Sequence, residues 1–250
     1  GKRVVYHYHE NAFVKGTFYK VLATIMQKLA HKIICVSEYQ ASFLQQKKCV
    51  ITVPNALPQN FVNRLTPNFQ AAFKRKHILM LGSLKLYKSP LEFIELTKRL
   101  PQFIFVLVIN DTKENINIFI KEYKINISKN LTIYPQQNDV VPFYNQTSLV
   151  LNLSNKKQFV ETFGLTALEA MSAGLPVIVP TEGGIAEMVV DGENGYKIDV
   201  QNLNQIAECI KTILSDETLY MELAQNALAY SKRFSEAKMV NSIEMILNRK

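Results

Sequence analysis

The residues best suited to chemistry lie between Val160 and Gly195, where Glu161-Thr162-Phe163-Gly164-Leu165 leads to Glu169, Gly174, Gly183-Gly184 and Asp191-Gly192-Glu193-Asn194-Gly195. After Gly164, apolar and small residues run to Gly174, broken by Thr166, Glu169 and Ser172, which predicts a largely buried helix ended by the glycine. The N–H groups of Phe163, Gly164 and Leu165 at its start would lack intrahelical acceptors, and glycine there admits a ligand close to the backbone. This end therefore suits a phosphate or a sugar hydroxyl. Glu161 falls just outside that mouth and Glu169 inside the helix, about 80° apart around the axis, so both face one cleft only if the connecting loop bends. The alternatives are plainer: Thr166, Glu169 and Ser172 as the wet stripe of a surface helix, and Glu161 as an ordinary loop carboxylate.

The elements that must position these groups alternate along the chain. Strands are predicted near Val4–Tyr8, Ile33–Val36, Val50–Val53, Ile78–Leu81, Phe103–Val108, Leu131–Tyr134, Leu149–Leu153, Val177–Val179 and Tyr196–Ile198. Helices are predicted near Thr17–Ala30, Glu38–Gln46, Pro90–Arg99, Lys113–Tyr123, Leu165–Ala173, Leu203–Leu214 and Glu217–Arg233, with a last one after Ser235. The pattern is that of an α/β protein with a doubly wound parallel sheet covered on both faces. Pro54-Asn55-Ala56-Leu57-Pro58 and the basic run to Lys76 read as a linker. Gly82-Ser83-Leu84-Lys85-Leu86-Tyr87-Lys88 follows the first strand after it, at the carboxyl end where open sheets bind ligands. Lys85 and Lys88 there could neutralise a diphosphate or simply be solvated.

Composition excludes several classes. Cys35, Cys49 and Cys209 are few and scattered, and His7, His9, His31 and His77 show no metal-type pairing, so neither a disulfide framework nor a zinc site is indicated. Asp191 to Gly195 lacks the ligand count of a calcium loop and reads as a turn. No apolar run reaches membrane-span length, and Lys2-Arg3 leads into Val4-Val5-Tyr6-His7 rather than a signal peptide, so a cytoplasmic protein is expected. The net charge of +8 is uneven: residues 1 to 60 hold eight Lys/Arg against two acidic groups. There Phe18, Val21, Leu22, Ile25 and Leu29 keep helical spacing among Lys15, Lys20, Lys28 and Lys32. The favoured reading is a core-facing helix with a solvated basic face, and the alternative is peripheral contact with an anionic membrane. No nucleic-acid motif accompanies the charge.

The run from Val160 to Gly195 resembles the E-x7-E signature of retaining GT-B glycosyltransferases of family 4, the "glycosyl transferases group 1" domain. Glu161 and Glu169 match its two glutamates, and the likeness continues through Gly174-Leu175-Pro176-Val177-Ile178, Gly183-Gly184-Ile185 with Glu187, and Asp191 to Gly195. The resemblance implies a GT-B type, Rossmann-like fold. Residues 1–56 would close an N-terminal acceptor-side domain whose first strands are absent, 57–233 would form the complete donor-binding domain, and 234–250 a helix crossing back. It implies transfer of a hexose from a UDP- or GDP-sugar to a hydroxyl of a saccharide or lipid-linked saccharide, in surface polysaccharide or glycolipid synthesis, with no cofactor or metal.

By that likeness Glu161 orients the hexose and Glu169 accepts from ribose hydroxyls. Gly82, Ser83, Lys85, Lys88, Thr162, Phe163, Gly164 and Leu165 surround the diphosphate. Tyr134 and Pro135 lie near the base, and His9 points to the transferred sugar, with Glu10 beside it. Ser83 stands where relatives carry an Arg, a departure that leaves phosphate neutralisation to lysine, which lacks the bidentate fork. A non-catalytic nucleotide-sugar-binding module completed by a further domain or partner chain is the second reading.

Overall fold

The computed structural model describes residues 3–9, 16–45 and 47–248. Glu10, Lys15 and Gln46 lie outside them.

The front of the chain forms β1 (Val5–Tyr8), α1 (Gly16–Leu29), β2 (Lys32–Cys35), α2 (Glu38–Ser42) and β3 (Val50–Thr52), a parallel sheet in the order β1-β2-β3. The alternation of a strand decides its packing. Ile33 and Cys35 join Tyr8 and Leu44 on one face, while Ile34 joins Val53 and Ile246 on the other. Ser37 starts α2 by accepting from the Gln40 N–H at 3.1 Å, as N-cap serines do.

Then follow α3 (Gln59–Val62), α4 (Phe69–Arg75), β4 (His77–Gly82), α5 (Pro90–Arg99), β5 (Ile104–Ile109), α6 (Lys113–Glu122), β6 (Leu131–Tyr134) and α7 (Val141–Asn145). The chain continues through β7 (Leu149–Leu151), α8 (Leu165–Ser172), β8 (Val177–Val179), α9 (Gly184–Glu187), β9 (Gly195–Lys197), α10 (Leu203–Ser215), α11 (Glu217–Ser231) and α12 (Glu236–Asn248). The six strands pair in parallel in the order β6-β5-β4-β7-β8-β9. Strands such as β4 and β7 are aliphatic on both faces because helices cover both. The chain moves outward from β4 to β6, then returns to the other side of β4 with β7, so the strand order reverses between β4 and β7. Leu57 bridges Ser235, and the Gln59 N–H donates to Glu236 at 2.7 Å, so both connections between the sheets pass at one place. Beyond it α12 lies on the front sheet through Ile246, Met239 and Ile243.

Two expectations are corrected. The run from Pro54 to Lys76 is not a simple linker. Asn68 caps α4 by accepting from the Ala71 N–H at 3.0 Å, and Phe73 packs on Tyr220 of α11 with ring centroids 5.3 Å apart. Two buried residues among lysine and arginine are too weak a periodic signal to reveal so short a helix. Nor is the apolar stripe of α1 core-facing. Phe18 is 70 % and Leu29 66 % exposed, with Val21, Leu22 and Ile25 also exposed, because Ala23 and Gln27 form its buried face. Among the described residues no helix is long and apolar enough to cross a membrane.

Among the described residues Lys76, Ser89 and Lys124 are the non-glycine positions with left-handed backbone, and of the three only Ser89 is buried. Ser89 sits before α5 at φ 57°, fully buried, and its Oγ has no partner among the described residues. Ser89→Gly removes the left-handed penalty of about 1 kcal/mol and an orphaned hydroxyl worth about 1–3 kcal/mol, against a chain-entropy cost of about 1 kcal/mol. A net gain of at least about 1 kcal/mol should raise Tm by about 2–4 °C or more in thermal denaturation, and a lower Tm would contradict this account.

A candidate nucleotide-sugar site at the switch point

A cleft of about 620 Å³ opens at the carboxyl ends of the strands where their order reverses, the position at which open α/β sheets bind ligands. Gly82, Ser83 and Lys88 line it from the loop after β4, and Asn152 to Ser154 from the end of β7. Asn110 and Gln137 reach it from the ends of β5 and β6, Glu161 to Thr166 form its wall at the start of α8, and Asn55 faces it from the front sheet's side.

The bend required of the Glu161 loop is made at Gly164, whose φ of 91° lies in the left-handed region. A Cβ there would stand 2.4 Å from Ile185, so glycine is also required for packing. The loop is anchored from behind, because the Gly184 N–H donates to the Glu161 carbonyl at 2.8 Å. Phe163 and Gly164 are buried and Leu165 is exposed, so the first-turn N–H groups, which have no intrahelical acceptors, belong to the cleft wall. Helix α8 is not a surface helix with a wet stripe. Ser172 is buried, Thr166 and Glu169 are half-buried, and the helix packs on α11, β7 and β8.

Charge in the cleft is paired. The Lys88 ammonium contacts the Glu161 carboxylate, which also accepts from Ser154 Oγ at 2.8 Å, with the side chains of Lys88 and Glu161 largely buried. Lys88 stands 4.5 Å from the ring of Phe159, and Phe159 stacks on Tyr87 at 4.8 Å, so an aromatic pair fixes the lysine's reach. Glu169, one turn along α8 from the cleft-lining Leu165 and Thr166, accepts from the Tyr144 hydroxyl at 2.5 Å. Burial holds its carboxyl above the usual range while the Tyr144 bond pulls it down. Burial and that same carboxylate push the Tyr144 phenol well up, so it stays a donor.

The remaining expected site residues stand apart from the cavity wall. His9 meets the region through its backbone, its carbonyl accepting from Thr162 Oγ1 at 3.3 Å, and its ring lies 4.0 Å from that of His7. Lys85 is exposed, 5.7 Å from the Tyr87 ring. Tyr134 packs edge-on against Phe143 at 5.0 Å, and Pro135 gives its carbonyl to Gln137 at 2.9 Å. The front sheet is latched on at α2, where Glu187 accepts from the N–H groups of Glu38, at 3.1 Å, and Tyr39. Tyr39 Oη also donates to Glu182 at 2.9 Å. Sequence reasoning missed Asn110, Gln137, Asn152 and Ser154; the first polar residues past the predicted strands would have found Asn110 and Ser154, whereas Gln137 is the second such residue past its strand and Asn152 falls inside a predicted strand. No local pattern marks Tyr144.

A parallel α/β sheet with a polar cleft at its switch point and a cation beside a helix N-terminus defines a nucleotide-type binding fold. The chain belongs to the glycosyl transferases group 1 family, whose model matches residues 64–230. It is 29 % identical over 239 residues to an uncharacterized glycosyltransferase of Methanocaldococcus jannaschii, covering 93 % of this chain and 63 % of that protein. It is 30 % identical over 142 residues to the N-acetyl-alpha-D-glucosaminyl L-malate synthase of Bacillus anthracis, covering 56 % of this chain and 36 % of the relative. The chain thus spans less than two thirds of these relatives. Its fold matches Anabaena HepE, solved in complex with UDP and glucose, with a TM-score of 0.82 at 21 % identity, covering 100 % of this chain and 72 % of that one. The architecture is that of the GT-B glycosyltransferases.

Proposed function

We propose that the chain binds a UDP- or GDP-sugar in the switch-point cleft and transfers its hexose, with retention, to a hydroxyl of a saccharide or lipid-linked acceptor in surface polysaccharide or glycolipid synthesis. The observation that carries this reading is the meeting of Lys88, Glu161 and the start of α8 in one cleft. The diphosphate lies against Gly82, Ser83 and the N–H groups of Phe163 to Leu165, and Lys88 leaves Glu161 to stabilise the departing charge, a role that needs no metal. Glu161 then orients the hexose and Glu169 takes the ribose hydroxyls. The bond from the anomeric carbon to the phosphate oxygen breaks as the acceptor oxygen bonds to the same face, and the acceptor proton passes to the departing diphosphate. His9 enters from the front sheet near the sugar. Nucleotide release from UDP- and GDP-sugars, with and without saccharide acceptors, tests the reading, and no turnover with any donor would count against an enzyme.

The second reading is a donor-binding module completed by a further domain or a partner chain, and the chain spans 63 % of the length of its archaeal relative. Donor binding without turnover would favour it.

We place the protein in the cytoplasm, with α1 against an anionic bilayer. The exposed stripe of Phe18, Val21, Leu22, Ile25 and Leu29 is flanked by Lys20, Lys28 and Lys32, and the sequence holds no acidic residue between Glu10 and Glu38. Co-sedimentation should be strong with vesicles of phosphatidylcholine containing 30 % phosphatidylglycerol, weak with phosphatidylcholine alone, and reduced by salt. No binding to either would leave another protein segment as the stripe's cover.

A further inference from the structure

We infer that Tyr144 is a positioning residue for donor recognition, its buried hydroxyl fixing one oxygen of Glu169 so that the other is held ready for the hydroxyls of the donor ribose. The inference rests on the reading that the cleft takes a nucleoside diphosphate. Tyr144 lies on α7, the short helix joining β6 to β7 beside the switch point, and is 1 % exposed. The edge-on ring of Phe61, with centroids 6.3 Å apart, holds it laterally. A phenol this deeply buried needs an acceptor, and among the described residues its hydroxyl bonds to Glu169 Oε2 alone. No described residue donates to Glu169 Oε1, yet that atom is not among the buried side-chain atoms lacking partners, so it keeps contact with solvent.

Glu169 is therefore a carboxylate with one oxygen occupied and one open, a single turn below the cleft-lining Leu165 and Thr166. Paired hydroxyls are best met by a carboxylate of fixed plane, and a hydrogen bond from a rigid, fully buried ring removes most of its torsional freedom before a ligand arrives. A phenylalanine would fill the same space and pack equally on Phe61, so the hydroxyl is needed for Glu169 and not for the core.

The test compares binding of UDP and of 2′,3′-dideoxy-UDP by calorimetry in the wild-type chain and in Tyr144→Phe. Tyr144→Phe should weaken UDP about tenfold and leave the dideoxy analogue nearly unchanged, collapsing the preference for the ribose hydroxyls. An unchanged preference would overturn the inference, and so would equal weakening of both ligands, which a merely structural tyrosine would produce. Should Tyr144→Phe not fold, 3-fluorotyrosine at position 144 keeps the volume and strengthens the donor, and the preference must then change at least about twofold. Absence of UDP binding to the wild-type chain would instead remove the cleft reading itself, and the inference with it.

Discussion

Glu161→Gln is expected to cut sugar transfer by on the order of 10²-fold or more while tightening UDP binding by about fivefold. The two effects have one origin. Glu161 shares its carboxylate between Lys88 and Ser154 in a largely buried setting, so the cleft holds its cation neutralised. An incoming diphosphate must draw Lys88 away and lie near a remaining negative charge. Glutamine keeps the size and the bond from Ser154 but releases the lysine and removes the repulsion, which favours the nucleotide. On the proposed reading the substitution also removes the carboxylate that orients the hexose, so the gain in binding brings no gain in rate. Initial rates with a sugar donor and calorimetry with UDP separate the two, and weaker UDP binding in the variant would contradict the pairing argument.

Gly184→Ala is expected to slow sugar transfer about a hundredfold although residue 184 does not line the cleft. A Cβ there would stand 1.9 Å from the Thr162 carbonyl oxygen, which is backbone and cannot rotate away. The same glycine donates its N–H to the Glu161 carbonyl, and the following Ile185 packs against Gly164. Relief of the clash must therefore move the Glu161 loop, the start of α8, or both, and a displacement near 1 Å in a positioning segment costs on the order of 10²-fold. Overpacking should also cost about 1–3 kcal/mol, lowering Tm by roughly 2–12 °C. A variant that melts earlier yet transfers sugar at the wild-type rate would show that this contact does not position the site.

The sequence carried much of this architecture because the strands of a parallel sheet are short, mostly apolar and separated by amphipathic helices, so β6, β8 and α5 fall at their expected limits. Short elements escaped for a physical reason. Helices α3, α7 and α9 span only a turn or so, too little for a period to register, and their positions follow from tertiary contacts such as that of Gly184 with Thr162. Glu161, Lys88 and the start of α8 could be read locally because each follows a strand end or opens a helix. The pairing of Lys88 with Glu161 and of Tyr144 with Glu169 could not, since those partners are brought together by strand order, which periodicity does not encode. The outward stripe of α1 escaped because periodicity shows that an apolar face exists, not what it faces.

The most direct test is calorimetric titration of UDP into the wild-type chain and into Lys88→Ala. One nucleotide should bind per chain, and the variant, left with an unpaired Glu161 beside the diphosphate, should bind at least about tenfold more weakly. Equal affinity in the two proteins, or no binding of UDP or GDP to the wild type, would contradict a nucleotide-sugar site at the switch point.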